Sequence, residues 1–419
     1  MVDSHGFDLA TRLADRKRRG LRRDLQPIER VAARTKVARD PGGDIPTFDG
    51  QEHLVFAAND YLGLASDDRV QRAAARAANE VGTGAGASRL ITGDTGLHHR
   101  LERNIAEGKG TERALVFSSG YAANVGTVAA LAPDVIFSDE LNHASIVDGC
   151  RLADAETVVY DHCDADALGA AMDRRTRGAA PDERWLVVTD SVFSMDGDIA
   201  PLQRICDAAE RHGAWVMVDE AHATGLYERA GGIVQREGLA DRVHVQLGTL
   251  SKTLAAQGGF IAGSERLVEH LLNTARSFVF STGLAPPAVG AAREALSLAR
   301  ASDRREQLWS HVGRLRDGLE TQGYRVLGET QILPVLVGDS TDALALGDYL
   351  EGRGVIAPAI RPPTVPEGTS RVRVAPQATH TDEEIDRCLA AFEAAQADLN
   401  LEPDSQRTAT GSSEQGVRS

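Results

Sequence analysis

Lys252 stands in the string Gln246-Leu-Gly-Thr-Leu-Ser-Lys-Thr253, where an apolar run gives way to small and polar residues. The chain has 419 residues and four lysines; nearly all of its 46 basic residues are arginine. Arginine stays protonated and forms no imine, whereas a desolvated lysine can lose its proton and attack a carbonyl. A chain that has nearly abandoned lysine, yet keeps one just past an apolar strand, points to an imine-forming residue. The plain alternative is a surface or helix-start lysine.

Asp219 closes the apolar run Trp215-Val-Met-Val and is followed by Glu220-Ala-His222. Lys252 comes 33 residues later, one helix and one strand further on. Ligands in open α/β sheets sit at the carboxyl ends of the strands, so this spacing can bring both residues to one edge. A lysine and a carboxylate placed together suit pyridoxal phosphate. The lysine provides the imine, and a buried carboxylate keeps the ring nitrogen protonated so that the ring acts as an electron sink. The alternative for Asp219 is a helix N-cap after a strand.

A phosphate needs donors. Phe117-Ser-Ser119-Gly120-Tyr121-Ala-Ala-Asn124 reads as a strand running into a helix through a small-residue turn. Such a turn aims backbone N–H groups and a helix N-terminus at an anion, although many turns of this kind bind nothing. Thr249 and Ser251 add hydroxyls beside the lysine. His143, in Asn142-His-Ala-Ser145, follows another strand. A lone histidine is ordinarily structural; the functional alternative is an imidazole lying on a planar cofactor. The loop Gly82-Thr-Gly-Ala-Gly86 follows a helix and lacks a Gly-Lys-Ser/Thr ending. It is neither a dinucleotide fingerprint nor a P-loop.

These residues need a scaffold of strands and helices. Residues 7–38 read as helix. Short apolar runs at 114–117, 134–137, 156–160, 185–189, 215–219, 243–247 and 259–262 alternate with helical stretches. Their unbroken apolarity predicts strands buried on both faces, hence an α/β fold with a mostly parallel seven-stranded sheet and helices on both sides. Strands at 332–337 and 370–374 and a closing helix from Thr381 to about Leu399 predict a smaller α+β region. The expected organisation is an N-terminal helix and connecting segment (1–58), a large α/β domain (59–285), a C-terminal α+β domain (286–401) and a disordered tail (402–419). Lys17, Lys36 and Lys109 lie in polar segments and are expected to be exposed.

Composition excludes several classes. A net charge of −15 argues against a nucleic-acid partner. No apolar run is long enough to span a membrane. Met1-Val-Asp-Ser-His-Gly6 lacks an apolar signal region, which predicts a cytoplasmic protein. Cys150, Cys163, Cys206 and Cys388 are scattered with no C-x-x-C pair. They suggest buried small residues, with neither a disulfide framework nor a metal site.

Taken together, the chain resembles the α-oxoamine synthases, a family of fold-type I pyridoxal-phosphate enzymes, from about residue 20 to 395. The resemblance rests on Asn59-Asp-Tyr-Leu-Gly-Leu, Gly84-Ala-Gly-Ala-Ser-Arg with His98-His-Arg-Leu-Glu, Ser119-Gly-Tyr-Ala-Ala-Asn, Asn142-His-Ala-Ser, Ser191-Val-Phe-Ser-Met-Asp-Gly-Asp, Val218-Asp-Glu-Ala-His, Thr249-Leu-Ser-Lys and Phe280-Ser-Thr-Gly. Members condense an amino acid with an acyl thioester and lose carbon dioxide. Ile360-Arg-Pro-Pro-Thr-Val-Pro-Glu-Gly points, within the family, to L-alanine and a pimeloyl thioester of coenzyme A or an acyl carrier protein, in biotin biosynthesis. Glycine with acetyl-CoA is the alternative inside the family, and transamination the alternative outside it.

The resemblance implies pyridoxal phosphate held by Lys252 and Asp219. It also implies His222 at the ring hydroxyl, His143 stacked on the ring, and Lys252 as the base that moves the Cα proton. Ser119, Gly120, Tyr121, Ser194 and Thr249 match cofactor or phosphate contacts. Thr282 matches a phosphate contact from the other subunit of a homodimer. Arg373 matches the carboxylate-binding arginine, and Asn59, Arg22, Arg361 and Thr364 match substrate positions. The chain departs from the family pattern at Asp190 (commonly Glu), Glu220 (commonly Asp) and Leu250.

Overall fold

The computed structural model describes residues 7–18, 21–22, 25–38, 47–48, 50–180, 182–301 and 303–399. The first two strands, β1 (Arg34–Lys36) and β2 (Glu52–Val55), pair antiparallel with Thr35 opposite His53. The helix expected over 7–38 is confined, among the described residues, to Leu9–Arg18, and that helix buries none of its side chains. Pro27 has no N–H to give a helix, and Thr35 prefers the pleated backbone that β2 offers it.

The central sheet contains β3 (Arg113–Phe117), β4 (Val135–Asp139), β5 (Glu156–Tyr160), β6 (Trp185–Asp190), β7 (Trp215–Asp219), β8 (Val245–Thr249) and β9 (Gly259–Gly263). Their order is β3-β9-β8-β7-β6-β4-β5. The block β8-β7-β6-β4-β5 is parallel, and β9 runs antiparallel to both β8 and β3. The α/β fold with a mostly parallel seven-stranded sheet is therefore as expected. Every residue of β4, β6, β8 and β9 is buried, as a sheet covered on both faces requires. Each fully buried Phe or Val here, such as Phe137 and Val187, stabilises the fold by about 1.5–3 kcal/mol.

Beyond the central sheet, helix Pro286–Ala299 packs on helices Asp68–Glu80 and Gly96–Lys109. A four-stranded sheet follows, built from β10 (Arg325–Val326), β11 (Leu333–Gly338), β13 (Ala359–Ile360) and β14 (Ser370–Val374) in the order β10-β11-β14-β13. The remaining strand, β12 (Val355–Ile356), joins β2, so the N-terminal connecting segment is tied to the C-terminal region. Helix Asp382–Leu399 closes the described chain. The tail expected to be disordered, 402–419, lies outside the described residues.

Candidate active site

Parallel strands deliver their last residues to one edge, and the acidic ends of β6 and β7 meet there. Asp190 and Asp219 are register partners. Asp219 is 4 % exposed. Its Oδ2 accepts from Asn124 Nδ2 at 2.7 Å and its Oδ1 from the Ala221 N–H at 2.8 Å. Residues 221–225 form turns, so Asp219 caps no helix. Asn124 Nδ2 also donates to Ser145 Oγ at 2.9 Å, and that hydroxyl lies 2.7 Å from His143 Nδ1. A polar chain therefore joins the carboxylate at the end of β7 to the imidazole after β4. Asp190 holds the other side of His143, accepting its backbone N–H on Oδ2 at 2.9 Å.

Lys252 follows β8 and faces this group. Its ammonium makes no hydrogen bond or ion pair among the described residues. Burial lowers its pKa and Arg373 adds to this, against the opposite pull of Asp219 and Asp190. Burial likewise lowers the His143 pKa, with Lys252 adding to the shift and Asp219 opposing it. Burial holds His222 well below its ordinary pKa, helped by Lys252, Arg373 and His143. Asp190 is pushed well up by burial and by Asp219. These shifts share their causes, so the groups lie within electrostatic reach of one another.

Arg373, on β14, comes to this group from the smaller sheet. Its Nε donates to the Ser194 carbonyl at 2.7 Å and its Nη2 to Asn59 Oδ1 at 3.1 Å. Ser194 and Asn59 are thus brought to the same arginine. His222 is fixed at two points: Gln331 Nε2 donates to its carbonyl at 2.7 Å, and the Tyr61 hydroxyl lies 2.7 Å from Nδ1. Tyr61, Asn124, Ser145 and Gln331 were not singled out from sequence. Tyr61 and Asn124 did lie inside recognisable strings, and their position two residues after Asn59 and five after Ser119 was the available signal.

The turn after β3 carries the anion donors. Ser119 caps helix Gly120–Leu131, its Oγ accepting the Ala122 N–H at 3.0 Å. The N–H groups of Gly120 and Tyr121 have no partner among the described residues. Thr249 closes β8 beside them: a Cβ built on Gly120 would lie 3.5 Å from Thr249 Oγ1. Close passage is built in, because a Cβ on Gly259 of β9 would come within 2.5 Å of the Gly120 nitrogen. Two free N–H groups at a helix N-terminus form a donor set that fits a phosphate, while the Thr249 hydroxyl beside them donates to the Gly258 carbonyl at 3.0 Å. With a buried carboxylate at the end of β7 and, just past the adjoining β8, a lysine that makes no hydrogen bond or ion pair among the described residues, the residues fit pyridoxal phosphate.

Other expected residues lie apart from this group. The Tyr121 side chain is half-exposed and bonds Asp148. Thr282 is exposed and bridges to Ser88 of the glycine loop. Arg361 and Leu21, the neighbour of exposed Arg22, line a cavity of about 580 Å³ with Ser340 and Pro362. Thr364 is exposed, and its N–H closes a turn onto the Arg361 carbonyl at 3.0 Å.

Two expectations need correction. Lys109 is buried, 2 % exposed, because Glu220 offers it a carboxylate at 2.6 Å. Cys163 is only partly buried and belongs to a polar cluster with Asp139, His162 and Asp198, while Cys150, Cys206 and Cys388 are buried.

Residues 51–392 match the family model described as aminotransferase class I and II. The chain is 45 % identical over 376 residues to 8-amino-7-oxononanoate synthase of Lysinibacillus sphaericus, covering 88 % of this chain and 96 % of that one. It is 47 % identical over 386 residues to the protein of the same name from Anaeromyxobacter sp. (strain K), covering 91 % and 93 %. A variant serine palmitoyltransferase from S. paucimobilis, solved with a bound PLP–myriocin aldimine, superposes with a TM-score of 0.85 at 29 % identity, covering 94 % and 98 %.

Proposed function

The chain belongs to the aminotransferase class I and II family, and on that footing we propose that it condenses L-alanine with a pimeloyl thioester to give 8-amino-7-oxononanoate, carbon dioxide and free thiol. It is a pyridoxal-phosphate-dependent acyltransferase of biotin synthesis. The observation that carries this is the convergence of Lys252, Asp219, His143, His222 and Arg373 at one sheet edge beside the donors at Gly120.

Pyridoxal phosphate, when bound, supplies an electron sink for negative charge at the amino-acid Cα. Ser119, Gly120, Tyr121, Ser194 and Thr249 would hold it, through backbone N–H groups and hydroxyls. Asp219, pinned by Asn124 and Ala221, would set a negative charge for the ring nitrogen. His222 would serve the ring hydroxyl and His143 would lie against the ring. Arg373 orients the alanine carboxylate so that the Cα–H points to Lys252. Lys252 Nζ, readied by its lowered pKa, takes that proton and later returns it. Asn59, Arg22, Arg361 and Thr364 serve the substrates, and the cavity beside Leu21 and Arg361 takes the acyl thioester. The thioester is borne by coenzyme A or an acyl carrier protein.

The working form is a cytoplasmic homodimer in which Thr282 reaches the phosphate of the other subunit. Exposed Ile91 and Phe280, near the Ser88–Thr282 bridge, support such an interface. No helix among the described residues is long and apolar enough to cross a membrane. The organisation that goes with this is an N-terminal segment to residue 58, a cofactor domain at 59–285 and a C-terminal domain at 286–401.

Product identification tests the substrate choice. Alanine or glycine is supplied with pimeloyl or acetyl thioester, and alanine with the pimeloyl thioester is expected to turn over fastest. Turnover of glycine alone would overturn it.

A further inference from the structure

Tyr61 takes no part in the chemistry above, yet its hydroxyl stands between two residues that do. The side chain is 0 % exposed. Its oxygen lies 2.7 Å from His222 Nδ1, 3.2 Å from Asn59 Oδ1 and 3.4 Å from Arg373 Nη2. The ring is tilted 53° to His222, with centroids 6.2 Å apart. Segments some 160 and 310 residues away in sequence thus meet at one phenol oxygen.

We propose that Tyr61 is a positioning residue that sets the hydrogen-bonding strength of His222 at Nε2 and links it to the arginine that takes the amino-acid carboxylate. The two imidazole nitrogens share one π system, so the partner at Nδ1 governs what Nε2 offers. Whichever of Tyr61 and His222 carries the bridging proton, withdrawing electron density from the phenol oxygen withdraws it from Nε2. Burial strengthens the bond. Burial and the neighbours Lys252, Arg373 and His143 keep His222 neutral, while Asp219 and Asp190 face Lys252. The strength of Nε2 is therefore set by hydrogen bonding and not by charging of the ring. Arg373 enters because its Nη2 is shared between Asn59 and Tyr61. A carboxylate that draws Nη2 away removes a donor from the Tyr61 oxygen, and His222 feels the change.

The inference rests on the placement of the cofactor against Asp219 and His222, and its test separates the two. Fluorinated tyrosines of falling phenol pKa are incorporated at position 61 of the cofactor-loaded protein. They keep the ring's shape and alter chiefly its oxygen. The midpoint of the pH titration of the cofactor's visible band is expected to fall steadily along the series, by about one pH unit, the size of one hydrogen bond. A midpoint that stays fixed while the melting temperature is unchanged overturns the tuning of His222. In Tyr61→Phe, Nη2 no longer has the phenol oxygen to leave, and the dissociation constant of propionate, an unreactive carboxylate, is expected to fall about threefold or more. Equal constants in the two proteins overturn the link to Arg373. A protein that shows no visible band after loading, or whose band is unaltered in Lys252→Ala, overturns instead the placement of the cofactor.

Discussion

Lys109 Nζ donates to Glu220 Oε2 across 2.6 Å, with 2 % and 0 % of the two side chains exposed. The ammonium also donates to Thr224 Oγ1 at 2.9 Å and lies 5.8 Å from the centre of the Phe260 ring. The carboxylate's other oxygen accepts the Val234 N–H at 2.8 Å. Glu220 fits because residue 232 is glycine: a Cβ there would come within 2.3 Å of Glu220 Oε1. The pair thus anchors the backbone directly after Asp219, and the extra methylene of glutamate over the family's usual aspartate has a place to go.

Removing one partner of such a pair strands the other. Lys109→Met is expected to cost about 3–5 kcal/mol of unfolding free energy, because Glu220 is left buried without a counter-charge. Adding Glu220→Gln removes that charge and is expected to restore part of the loss. Chemical denaturation of the single and double variants measures both, and an unchanged single variant contradicts the pairing.

Lys109 also marks where sequence stops being informative. Its neighbours, Glu107, Gly108 and Gly110, read as the polar end of a helix, and nothing local announces a carboxylate 111 residues away. By contrast, the places of Asp219 and Lys252, at or just past strand ends, were legible because unbroken apolar runs fix where each strand ends. The strands of the central sheet were legible for the same reason. The Arg34–Lys36 strand was not, because it exists only by pairing with β2 across a long connection. Tyr61 sat inside a recognisable string, but only the fold shows its hydroxyl between His222 and Arg373.

Lys252 separates charge from proton transfer. Lys252→Ala removes both, and Lys252→Arg keeps the charge but holds its proton. Both variants are expected to lose condensation by at least about 10²–10⁴-fold, the usual worth of a positioned base. Product formation from alanine and the pimeloyl thioester measures this. Activity retained in Lys252→Arg would assign the proton to another group.

Arg373 is held between the Ser194 carbonyl and Asn59. A planar fork matches a carboxylate in a way that an ammonium does not. Arg373→Lys is expected to raise the KM for alanine about tenfold or more, the worth of one charge-assisted hydrogen bond, with little change in the KM of the thioester. Equal effects on both substrates would place the arginine elsewhere in the reaction.

His162 gives the protein an alkaline weakness. Its Nδ1 lies 2.9 Å from Asp139 Oδ1 and its Nε2 2.7 Å from Asp198 Oδ2. Burial opposes the charge on the ring, but the two carboxylates outweigh it and raise the pKa to about 12. The unfolded chain titrates near the ordinary value of about 6.5. Below that pH both states hold the proton, and the stabilisation is fully present. Above it only the folded state does, so stability falls as pH rises toward about 12. One proton sets the limit at about 1.4 kcal/mol per pH unit, and partial exposure of His162 makes the slope smaller. The staple joins the segment leading to His143, through Asp139, to the one carrying Ser194, through Asp198. Urea denaturation at pH 7, 8 and 9 is expected to show declining stability in the unaltered protein and a flatter dependence in His162→Gln. Parallel slopes in the two proteins would mean that the imidazole is not held charged.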